Sequence, residues 1–117
     1  MNSQLKKALS ELTGAYYEEA PKEARYPYTV FSVRRISEED GVETYSLEID
    51  AWDNSPFYSG AENMMDTLEL KLHRCSFSTE GLLIRTYKGN RQNIPDPDKS
   101  LKRVREQFEM KVYRKEG

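Results

Sequence analysis

From Thr44 to Asp53 the chain alternates without a break. Tyr45, Leu47, Ile49 and Ala51 fall on one parity; Thr44, Ser46, Glu48, Asp50 and Trp52 fall on the other. A period of two predicts a strand with one buried face. Such a strand needs a sheet around it and a second layer over its apolar side. This excludes an all-helical fold and sets the frame for the rest of the chain.

Other segments fit that frame. Tyr28 to Ile36 is rich in β-branched and aromatic residues, and Pro27 stands at its first edge, where a missing N–H is tolerated. Between it and the alternating segment lies Asp40-Gly41, a hairpin signal. Leu82 to Tyr87 reads as a third strand. In the last segment Val104, Phe108, Met110 and Val112 share one parity, which predicts a long fourth strand. Glu106 breaks that parity and is expected to mark where the strand leaves the core.

Two helices complete the layer. Leu5, Leu9 and Leu12 recur at i, i+4, i+7, predicting a short helix over about Ser3 to Leu12 with Gly14 as its stop. Ala61, Met65, Leu68 and Leu72 predict a main helix over about Gly60 to His73, preceded by a Ser59/Glu62 capping box. Ala15 to Arg25 reads as a loop. Lys88 to Ser100, with two prolines, two asparagines and a glycine, reads as a long flexible loop. The expected architecture is α+β: a single domain over 1–117, ordered α-β-β-α-β-β. Its four-stranded, mainly antiparallel sheet would carry both helices on one face.

Composition removes several chemistries. One cysteine makes no internal disulfide, and one histidine beside it leaves little for a zinc site. No apolar run approaches the roughly 18 residues of a membrane span. Met1 to Leu12 lacks the apolar stretch of a signal peptide. The expectation is a soluble protein of a reducing compartment. His73 is expected to cap the last carbonyls of the main helix, and Cys75 to fill space. There is no dinucleotide fingerprint and no Gly-rich phosphate loop. Glu48, Asp50 and Asp53 could hold a hard cation, or form a solvated or partner-facing acidic face.

The net charge of −2 hides an asymmetry. Residues 1–69 hold 6 basic and 14 acidic groups; residues 70–117 hold 12 and 6. Lys99, Lys102, Arg103 and Arg105, with Tyr87 and Tyr113, suggest a nucleic-acid face. The RNA-reader signature is absent, however, and the pI of about 5.5 argues against that reading. Two readings remain. Acidic and basic elements neutralise each other within the fold, or copies associate acidic patch to basic patch. Eight tyrosines and only 37% hydrophobic residues suit a lean core and a protein that presents contact surface.

These elements meet particular residues: Tyr26-Pro27-Tyr28-Thr-Val-Phe31 opening the first strand, and Tyr45-Ser-Leu-Glu-Ile-Asp-Ala-Trp52 ending the second before an amphipathic helix. Over about Leu5 to Tyr113 the chain resembles the small tail completion proteins of long-tailed phages and prophages, also called tail terminator or tail-to-head joining proteins. The resemblance implies a non-enzymatic structural protein with no cofactor and no catalytic residues to carry over. Such proteins form a ring, usually a hexamer, at the head-proximal end of the tail tube. The ring ends tube polymerisation and joins the tail to the head connector or stopper protein. Genomic DNA passes through its lumen without specific binding, and no membrane is involved.

The resemblance also implies that the loop before the last strand orders on assembly, which points to Lys88, Asn90, Arg91, Asp96, Asp98 and Lys99. By position and charge, Glu48 and Asp50 are expected to approach the lumen, and Arg103 and Arg105 to meet the neighbouring subunit. The alternatives are a head-completion (stopper) or other neck protein and, behind it, a small nucleic-acid-binding domain.

Overall fold

The computed structural model describes residues 3–79 and 81–114; the ends of the expected 1–117 domain lie outside them. The elements run α1 (Ser3–Thr13), β1 (Tyr16–Tyr17), β2 (Tyr28–Glu39), β3 (Val42–Asn54), α2 (Ser59–Leu72), β4 (Cys75–Thr79), β5 (Leu82–Ile94) and β6 (Leu101–Arg114). They form one six-stranded sheet in the order β1-β2-β3-β6-β5-β4. β1 runs parallel to β2, and every other pair is antiparallel. The fold remains α+β, but the expected four-stranded sheet is incorrect: the sheet is six-stranded and mixed.

Both added strands lie at the edges. β1 is two residues long and lies inside the stretch expected to be a loop. It pairs through Tyr16↔Val30 and Tyr17↔Phe31. β4 is five residues long, and its Cys-Ser-Phe-Ser-Thr sequence carries little apolar signal. The expected loop at Lys88 to Ser100 also shrinks. β5 continues to Ile94, so only residues 95–100 connect β5 to β6. The Gly and Asn that suggest a loop lie where the β5–β6 register shifts between Lys88 and Arg91, a bulge. A Cβ on Gly89 would stand 2.3 Å from the Gln107 carbonyl oxygen, so this close backbone approach requires glycine.

The β2–β3 hairpin closes through Asp40 and Gly41, with φ of 52° and 78°. Left-handed backbone at both central residues is the turn that Asp-Gly favours. Along the rising arm the β2–β3 register shifts between Arg35 and Ser37. Ile36 is therefore the extra residue, and it is 59% exposed.

The core face carries Phe31, Leu47, Ile49, Ala51, Val104, Phe108, Met110 and Val112, all buried. α2 lies across β3, β6 and β5, adding Ala61, Met65, Leu68 and Leu72 to the same core. The expected capping box does not form. Tyr58 is the N-cap and makes no side-chain cap bond, while Ser59 is already helical. α1 buries Leu5 and Leu9 and touches both β1 and β4, the opposite edges of the sheet. Six flat strands would hold those edges about 24 Å apart. α1, 11 residues and about 16 Å long, spans less than that width, and the curl of the sheet around the core brings both edges to it. Gly14, at φ 68°, ends α1 as expected.

Candidate functional site

The charged residues singled out in the sequence fall into three groups, set by strand parity. The first is on the outer face. Cross-strand register places Asp50 opposite Arg105 and Trp52 opposite Arg103. Arg103 donates to Asp50 Oδ2 from Nη2 at 2.7 Å. Arg105 Nε donates to Asp50 Oδ1 at 2.8 Å and lies 3.3 Å from Glu48 Oε1. The Arg103 guanidinium carbon lies 4.9 Å from the centre of the Trp52 ring. Gln107 donates to Glu48 at 3.3 Å. The bond to Asp50 raises the Arg105 pKa, against the opposing effect of burial.

Glu48 and Asp50 therefore do not occupy a different surface from Arg103 and Arg105. All four form one cluster inside one chain, because strand pairing sets acids directly across from bases. The charge asymmetry of the two halves is neutralised here within the fold.

The second group is on the inner face and centres on a residue that parity marked as misplaced. Glu106 does not mark an exit from the core. It is fully buried between Ile49 and Arg91 in the strand register. Arg91 Nε donates to Glu106 Oε1 at 2.7 Å, Nη1 to Asp66 at 2.6 Å and Nη2 to Glu69 at 2.9 Å. Lys88 Nζ lies 3.6 Å from Glu69. Arg91 thus ties β5 to β6 and to two residues one turn apart on α2.

As a carboxylate, Glu106 would leave Oε2 without a donor among the described residues. As an acid it donates to Glu69. Burial pushes its pKa up to about 7, further helped by the Glu69 charge and resisted by Arg91. The same hydrogen bond from Glu106, with Arg91 and Lys88, holds Glu69 below the usual carboxylate range against burial. Burial opposes the charge of Arg91, yet bonds to Asp66 and Glu106 raise its pKa. Below about pH 7 two cations thus face two carboxylates and a Glu106 that is mostly the neutral acid, a balanced set. Asp66, Glu69 and Glu106 were not singled out as site residues; the parity error at Glu106 was the one signal that could have found them.

The third group is the 95–100 connection. Asp96 Oδ1 accepts from the Asp98 N–H, and Asp98 Oδ1 accepts from the Ser100 N–H, both at 2.9 Å. The bonds from Ser100 lower the Asp98 pKa. Lys99 gives its carbonyl to Lys102. Asn90 sits exposed at the β5 bulge. His73 does not cap helix carbonyls with its ring. Its backbone N–H bonds Glu69 O at 2.8 Å, and its Nδ1 accepts from the Lys88 N–H at 3.2 Å.

A separate open groove of about 540 Å³ lies at the other end of β2. The end of α1, the start of β2 and one face of α2 line it, through Tyr16, Tyr28, Pro27, Met64 and Leu68 among others. Its two charged lining residues, Arg25 and Lys71, are both cations.

No protein-family model matches this chain, and no curated protein matches it in sequence. Among solved structures it is similar to a chain of the virion of a native gene transfer agent particle. The likeness covers 93% of this chain and 88% of that one, with a TM-score of 0.67 at 17% sequence identity. At that identity the likeness establishes the fold. The curled six-stranded sheet with two helices is thus an architecture found in a virion component.

Proposed function

We propose that this chain is a non-enzymatic structural protein of a phage-like virion. In this reading it forms a ring at the head-proximal end of the tail tube, ends tube polymerisation and joins the tail to the head connector. The observation that carries the proposal is the shared fold with a gene transfer agent virion chain, extending over nearly the whole length of both chains. The tail-end role rests on the resemblance in the first two strands. Heterologous contacts between identical subunits close into rings when their rotation permits. In this reading the partners are further copies of the chain, the tail tube protein and the connector or stopper. Its place is the virion tail, after assembly in the bacterial cytoplasm.

The test is to add purified protein to growing tail tubes and view tube ends by negative-stain electron microscopy. A cap at one end and a fixed tube length are expected. Unaltered polymerisation without a cap would overturn the tail role and favour a head-side neck protein, which should bind the connector instead.

A further inference from the structure

β2 carries opposite surfaces at its two ends. At its start, Tyr28 and the preceding Pro27 help line the groove, where Tyr16, Met64 and Leu68 provide apolar wall and Arg25 and Lys71 provide positive charge. At its finish, the hairpin tip presents Ile36, Glu38, Glu39 and Asp40, all exposed. Among the described residues, no carboxylate pairs with Arg25 or Lys71, and no cation pairs with Glu39 or Asp40. The clusters of the sheet centre, by contrast, neutralise themselves.

The twelve residues of β2 separate the two ends by about 40 Å. The molecule is 50 Å in its longest dimension, so tip and groove lie far apart and cannot meet within one chain. They can meet between two. The tip matches the groove in kind: an exposed aliphatic side chain beside two acids that make no ion pair, though Lys111 lines the same hollow, facing an aromatic and aliphatic wall beside two bases that make none. β2 is the edge of the sheet at this end, since β1 pairs only with Val30 and Phe31, so its acids are open to a neighbour along one side.

We propose that the β2–β3 hairpin tip of one copy docks in the Arg25/Lys71 groove of a second copy. The contact is heterologous, so each subunit offers a tip to one neighbour and a groove to the other. It deepens the ring reading and rests on it, since it names the surfaces by which the ring would close.

The test pairs two variants in a Cys75→Ser background, one with Glu39→Cys and one with Lys71→Cys. Mixed at high concentration under oxidation, they should yield a disulfide-linked pair several-fold above a control in which Arg85→Cys replaces Lys71→Cys. Yield no higher than the control overturns the contact. Charge reversal gives a second arm. Glu39→Lys and Lys71→Glu, each without the added cysteines, should cut tube capping at least tenfold, and a chain carrying both reversals should recover part of it. If only the groove reversal removes capping, the groove takes an acidic segment of another virion protein and self-docking is overturned. Cross-linking without tube capping would sink the tail reading and leave the contact standing; capping without tip-to-groove cross-linking would do the reverse.

Discussion

Arg105 and Glu106 are neighbours in the chain and belong to two different kinds of charge cluster. Arg105 points outward, where Asp50, Glu48 and Arg103 trade hydrogen bonds beside solvent. Glu106 points inward, where one guanidinium serves three carboxyl groups and one carboxyl is fully buried. The residue types are the same. One residue separates them: Glu106 is fully buried, whereas every outer partner keeps 14–27% of its side chain exposed to screening water. The outer cluster sets surface character, while the inner one fixes where α2 sits on β5 and β6.

The widest gap between the clusters should open on removing one arginine from each. Arg91→Ala strips the only hydrogen-bond donor that the described residues give to Glu106. It should cost about 3–5 kcal/mol in urea unfolding, whereas Arg105→Ala should cost about 1 kcal/mol. Equal losses would break the distinction. Next is pH. The folded pKa of Glu106 is raised, so the folded state holds a proton that the unfolded chain releases. Stability from this group is full below about pH 4.5, falls as pH rises and levels off above about 7, losing roughly 3 kcal/mol. Glu106→Gln, which mimics the acid, should flatten that slope when unfolding is followed between pH 5 and 8.

Smaller effects sharpen the contrast. Gly89→Ala should destabilise by about 1–3 kcal/mol, by pushing a methyl against the Gln107 carbonyl and loosening the strand that holds Arg91. Asp50→Asn should cost about 1 kcal/mol in low salt and less in molar salt, a loss read from thermal unfolding. Arg35→Ala, at the exposed pair with Glu38, should change stability by less than about 0.5 kcal/mol.

Legibility followed burial. β3, β6 and α2 could be read because their apolar period is strong, and the Asp-Gly turn because its chemistry is local. β4 and the far half of β5 could not, since Ser76, Ser78, Gly89 and Asn90 carry no apolar period; cross-strand partners and Arg91 hold them in place. β1 is two residues long, below the reach of any period. The fold class was therefore legible and the strand count was not. For the outer cluster, parity put Glu48, Asp50, Arg103 and Arg105 on common faces, but their mutual pairing depends on β3–β6 register. Glu106 was visible as an anomaly, yet its meaning required Arg91 and Glu69 from other elements. Arg25 and Lys71 drew no notice, because the loop and helix that bring them together are far apart in the chain.

The two bulges have a consequence for how the protein avoids clumping. β1 covers only Val30 and Phe31 of β2, and β4 covers β5 only to Thr86, so each long strand leaves a stretch of bare backbone edge. Those stretches hold the Ile36 irregularity with Arg34, Arg35, Glu38 and Glu39, and the Gly89–Asn90 irregularity with Lys88 and Arg91. A kinked, charged edge is a poor template for adding a foreign strand. Open-ended ribbon growth through backbone pairing is thereby blocked, and any contact at these edges is left to side chains, which can form, fail and be corrected.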